Sequence, residues 1–166
     1  MTTENSEDVV EAVRNEDYET LEVLLMKEKP TTATLTIAVE TGNLVLLRFL
    51  CEYCNLSEYD NASWLLNKAV LEGHMNIVQY LHDQIGLRSD LAVIYAATKG
   101  RYEFVQWFTD HSPYKHDMTA MNMAANSGHL KIVQYLHTKF IEKAIEYAEK
   151  GKQKEIVDWL TSKVDK

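Results

Sequence analysis

At 166 residues the chain fits one domain and can bury a core without staples, and its 46% hydrophobic and 25% charged residues are ordinary values for a globular protein. The formal net charge of -8 works against a sequence-independent hold on nucleic-acid phosphates, and no apolar run approaches the ~20 residues that cross a bilayer. MTTENSEDVV has no basic region followed by an apolar stretch, so neither a leader nor a membrane span is read, and a location inside a cell, cytoplasmic or nuclear, is expected.

Taken in chain order, one pattern recurs. Residues 6–29 hold VEAVRNEDYETLEVLL, residues 32–54 hold LTIAVETGNLVLLRFL, and residues 61–86 hold LNKAVLEGHMNIVQYL. It returns in residues 89–112 as VIYAATKGRYEFVQWF, in 117–139 as MNMAANSGHLKIVQYL, and in 141–166 as IEYAEKGKQKEIVDWL. The anchors Glu16, Gly42, Gly73, Gly100, Gly128 and Lys152 lie 26, 31, 27, 28 and 24 residues apart. Four residues before each anchor stands an alanine: Ala12, Ala38, Ala69, Ala96, Ala124 and Ala148. Seven before stand Val9, Leu35, Leu66, Val93, Met121 and Ile145, and three before stand Val13, Val39, Val70, Ala97 and Ala125, with Glu149 breaking the column. Offsets of 0, 3 and 4 share one helix face, so each unit opens with a short amphipathic helix. The alanines mark a close approach of two helices. After the anchor, apolar residues at plus 2, 4, 5 and 8 (Leu130, Ile132, Val133, Leu136) form a second helical stripe. Four anchors are glycine, the residue suited to a helix C-terminal turn at positive φ. Each unit is therefore helix, turn, helix, and stacked units build a common core.

The paired alanines, Gly-His and Ile/Val-rich second helix of AMNMAANSGHLKIVQYLH resemble the ankyrin repeat. The 27- and 28-residue spacings and the aromatics Tyr80, Trp107, Tyr135 and Trp159 are similar to the short repeats of oomycetes, other protists and some large DNA viruses. The resemblance implies an all-α, right-handed α-solenoid of six helix-turn-helix repeats over residues 1–166, binding another protein and acting neither as an enzyme nor with a cofactor. The usual unit is about 33 residues, so short or absent β-hairpin fingers are expected. The Thr-Pro-Leu-His start is missing; TLTIA, WLLNKA, AVIYA and AMNMA stand there. With the last spacing at 24, helix should follow helix closely around 138–142. The pattern degrades into charge at both ends, as terminal caps require, which suggests a complete small domain and a monomer.

Candidate chemistry is sparse. Cys51 and Cys54 form a C-x-x-C without a second ligand pair, so a metal or redox role is the alternative and two thiols in a reducing compartment the simpler reading. Asp110, His111, His116 and Asp117 cluster around Pro113, where a polar turn is favoured over a metal site. His74 and His129 follow their glycines and, by the resemblance, hydrogen-bond neighbouring turns; His82 and His137 recur at equivalent places. A host-directed effector or inhibitor on the same scaffold is a further alternative.

Partner-binding residues are sought on the outward, concave side of the first helices, at anchor minus 9, minus 6 and minus 2. In repeats three and four these read Trp64, Asn67, Leu71 and Leu91, Ile94, Thr98, with Tyr95 beside them. Exposed apolar surface of this kind marks interaction sites. Trp64, Leu71, Leu91 and Ile94 are expected to form the centre of a protein-binding groove, with Asn122, Asn126 and Glu40 at its rim. In the competing arrangement residues 52–62 fold back over Trp64.

Overall fold

The computed structural model describes residues 2–56, 59, 62–111 and 117–164, and among them it holds eleven α-helices and no strand. They are α1 (Thr2–Asn15), α2 (Tyr18–Leu25), α3 (Thr32–Glu40), α4 (Leu44–Glu52), α5 (Ser63–Glu72) and α6 (Met75–Gln79), the last running into one π turn, Tyr80–Gln84. There follow α7 (Ala92–Thr98), α8 (Tyr102–His111), α9 (Asp117–Asn126), α10 (Leu130–Lys150) and α11 (Lys154–Val164). The chain forms two compact units, residues 1–92 and 93–166. In the first, the hairpins α1–α2, α3–α4 and α5–α6 stand side by side, with α1 against α3 and α3 against α5. In the second, α10 packs on α8, α9 and α11.

The turn between paired helices is built the same way six times. Glu16, Gly42, Gly73, Gly100, Gly128 and Lys152 all take a positive φ, between 54° and 92°. After each, the next N–H donates to the carbonyl of the column alanine, from Asp17 to Ala12 (3.0 Å) through Gln153 to Ala148 (2.9 Å). This bond across six residues is the mark of a Schellman ending, and it satisfies a carbonyl that the helix end would otherwise leave open. The alanine column is thus a hydrogen-bonding position as well as a packing one, and all six alanines are buried.

Residues following the anchor divide by type. Asn43 accepts from Leu46 N (2.9 Å) and Asp17 from Thr20 N (3.1 Å), each capping its own second helix. The Thr20 hydroxyl and amide hold the Asp17 carboxyl below its ordinary value. That support is complete above the ordinary carboxylate range and is lost as pH falls through the lowered value. Asn43→Ala should cost about 1 kcal/mol in urea unfolding, the usual effect of losing such a cap. An unchanged midpoint would deny Asn43 that role.

Columns that follow the register show which way each repeat faces. Minus 3 is closed in Val13, Val39, Val70 and Ala97, and plus 5 in Leu21, Leu47, Val78 and Val105, all at most 1% exposed. In the fifth repeat, however, Ala125 is exposed and Val133 only half-buried. The buried stripe expected at Ala125 is therefore corrected. The cause lies in α10, which runs unbroken for 21 residues, about 31 Å, through the place where a connection should separate the fifth repeat from the sixth. Residues 138–142, TKFIE, contain no Gly or Pro to end a helix. Residues 141–150 continue along the α10 axis past the start of the antiparallel α9 and cannot double back beside it.

Candidate functional site

Within the first unit, α5 presents Trp64, Asn67 and Leu71 on the side opposite its buried stripe of Leu65, Leu66, Ala69 and Val70, and all three are half-buried. Leu91 is 48% exposed. Asn67 does more than line a rim. Its Oδ1 accepts from Ser89 Oγ (2.6 Å), and Ser89 Oγ accepts in turn from Leu91 N (3.2 Å). Asn67 therefore pins the segment carrying Leu91 to α5. The preceding π turn adds a second fastening, since its freed carbonyls are taken by Ile85 N (Tyr80, 3.2 Å), Leu87 N (Leu81, 2.9 Å) and the Arg88 guanidinium (His82, 2.6 Å). Ser89, Arg88 and the π turn were not singled out in the sequence. The Ser after a helix and the Arg before it are too common to signal such a lock.

The segment that would cover Trp64 in the competing arrangement is described only in part. Leu56 and Ala62 are buried, and the Tyr59 hydroxyl donates to the Pro30 carbonyl. Residues 57, 58, 60 and 61 lie outside the described set. Glu40 accepts from Lys68 (2.7 Å), which also pairs with Glu72 (2.9 Å), and these two carboxylates raise the Lys68 ammonium above its ordinary value. Such exposed pairs contribute little stability, of order 0–1 kcal/mol, but they order the side chains between α3 and α5.

Within the second unit, Ile94, Tyr95 and Thr98 are half-buried on α7, with the Thr98 hydroxyl donating back to Ile94 O (2.8 Å). Asn122 and Asn126 are exposed on α9. Each unit thus carries its share of the predicted residues on first helices.

The glycine-histidine pair has a structural use. His74 Nε2 lies 3.3 Å from Glu40 O, and His129 Nε2 lies 3.0 Å from Thr98 O. A carbonyl only accepts, so Nε2 carries the proton in both. Each imidazole also fills the space where the preceding repeat's glycine lacks a side chain, 2.6 Å from a Cβ built on Gly42 or Gly100. His82 and His137 are not equivalent: His82 is buried with Nδ1 2.7 Å from Asp83 Oδ1, whereas His137 is exposed.

The two thiols are not joined in a disulfide and are half-buried. Cys54 Sγ donates to Leu50 O (3.4 Å), and the contact with Cys54, followed by burial, pushes the Cys51 thiol up. Burial, together with Cys51, also raises the Tyr80 phenol to about 12. At Cys51 the thiolate, the form that binds metal or exchanges disulfides, is therefore disfavoured. Among the described residues no group of three or more His, Cys, Asp or Glu is placed to hold a metal ion. In the second polar cluster, His111 stacks on Trp107 (4.6 Å) and its Nδ1 meets Trp107 O (2.9 Å); His116 and the Asp117 side chain lie outside the described set. No helix among the described residues is long and apolar enough to cross a membrane.

A family model described as ankyrin repeats (3 copies) matches residues 9–91, 66–146 and 93–166. No curated protein and no solved structure gives a significant match. With that match running over nearly the whole chain, and with helical hairpins, Schellman turns and reaching histidines repeated in register, the chain belongs to the ankyrin-repeat family.

Proposed function

We propose that the chain is a non-catalytic module that binds another protein through the outward faces of its first helices. Ankyrin repeats are generally protein–protein interaction modules. The observation that carries the surface assignment is the contrast on α5 and just beyond it: Leu65, Leu66, Ala69 and Val70 are wholly buried, while Trp64 and Leu71 remain half-open and Leu91 is held exposed by the Asn67–Ser89 lock. A Trp kept half-open suits a binding hot spot, and the exposed Leu91 adds apolar surface. Ile94, Tyr95, Thr98, Asn122 and Asn126 are the corresponding contact residues of the second unit. One copy of the chain suffices to present these residues, and cysteines not joined in a disulfide fit the reducing interior of a cell, cytoplasm or nucleus.

Affinity capture from the native cell identifies the partner, after which Trp64→Ala and Leu91→Asp are compared with Val45→Asp, a change at an exposed α4 residue. Each of the first two should weaken capture by at least about 30-fold, as for a hot-spot residue, with little change in melting temperature. Full capture by Trp64→Ala together with a large melting drop would return Trp64 to the core and sink this reading.

A further inference from the structure

Two faces of the second unit are open that the repeat elsewhere keeps closed. The first is the forward side of the fifth repeat, where Ala125 is exposed and Val133 half-buried. The second is the backward side of the sixth. At plus 4, Leu46, Ile77, Phe104 and Ile132 are buried, but Ile156 is 49% exposed; at plus 7, Trp159 is 60% exposed where its aromatic counterparts are half-buried. These two faces are the two halves of one stacking interface. They match by register, because within each unit the plus 7 ring of one repeat meets the plus 2 ring of the repeat before it, Phe49 on Tyr18 (5.3 Å) and Tyr135 on Tyr102 (5.5 Å). One copy cannot bring them together, since continuous α10 carries residues 141–164 away from α9.

We propose that two copies of the chain exchange their C-terminal hairpins, residues 141–164, so that the sixth repeat of each stacks on the fifth repeat of the other. Reciprocal exchange closes both open faces in a two-fold dimer and leaves none to propagate. It also keeps α10 straight, with its i,i+3 and i,i+4 pairs Lys139–Glu142 and Lys150–Glu146 across the crossing segment. A second copy is the occupant indicated because the surface that fits the fifth repeat is already encoded in the chain, at Ile156 and Trp159. Another protein would have to imitate it.

Light scattering on the full chain, read over a concentration series, is expected to show a dimer. Trp159→Lys and Ala125→Arg should each raise its dissociation constant by at least about 30-fold, the effect of removing an interface anchor or forcing a charge into the closed face. Val45→Lys, exposed in the first unit, should leave it unchanged. Circular dichroism checks that helix content is kept, and Ile156→Lys replaces Trp159→Lys should that variant lose it. The decisive step mixes the Trp159→Lys and Ala125→Arg chains. Exchange leaves one of the two interfaces in the mixed dimer free of both substitutions, so heterodimers should form where neither chain dimerises alone. A monomeric parent chain, a dimer indifferent to both substitutions, or a mixture that stays monomeric would each overturn the proposal.

Discussion

Gly42→Ala is expected to lower stability by about 2–4 kcal/mol, well beyond the cost of a positive φ. Two penalties combine at this one atom. An L-residue in the left-handed region costs roughly 1–2 kcal/mol, and Gly42 sits at φ +71. The new methyl would also lie 2.6 Å from His74 Cε1 and 2.7 Å from Nδ1, so the imidazole must leave its seat and its bond to Glu40 O. Losing such a bond adds about 1 kcal/mol. Gly128→Ala separates the two terms, because Gly128 has φ +77 and nothing within 4 Å of an added Cβ. It should cost only the conformational part, about 1–2 kcal/mol. Adding His74→Ala to Gly42→Ala should then bring the double variant close to His74→Ala plus that conformational part alone. Urea unfolding of the parent and the four variants checks this, and equal costs at Gly42 and Gly128 would refute the packing role of His74. Gly100 and His129 repeat the geometry at 2.6 Å and should behave like the first pair.

Val70→Asp is expected to be at least as damaging, at about 3–5 kcal/mol, the penalty for an uncompensated buried charge. Val70 has no exposed surface, and the neighbouring α5 residues Leu66 and Ala69 are equally closed. Val45→Asp makes the same chemical change on a residue 68% exposed and should fall within about ±0.5 kcal/mol of the parent. The informative case is Ala125→Asp. It occupies the same register position as Val70, yet it should leave the helix content and fold of the separate chain intact while removing self-association. Chemical denaturation followed by circular dichroism, with light scattering alongside, reads both quantities. Unfolding of Ala125→Asp to the extent of Val70→Asp would show that the fifth repeat is closed within one copy.

Much of this architecture was legible because it is local. The positive-φ anchors, the alanine column and the helix pairs follow from spacings within one repeat, and the bond from each post-anchor N–H to the column alanine spans five positions. Even Glu16 and Lys152, which are not glycines, take the left-handed turn because the alignment of their neighbours demands it. The histidines were assigned to neighbouring turns through family resemblance, and their seats on Gly42 and Gly100 explain why glycine and histidine recur together.

The sequence by itself determined the repeat, its turns and the side of each helix that packs, because helical periodicity and capping act over a few residues. Tertiary structure alone decided which of those faces are covered. Ala97 and Ala125 occupy one column with the same residue type, but one is closed and the other open, since burial depends on where the next repeat goes. That in turn rests on whether residues 138–142 bend or continue the helix. Asn67 shows the same limit in the candidate binding surface: its place on the outward face follows from spacing, whereas its grip on Ser89, 22 residues away, arises only when the folded chain brings the two together.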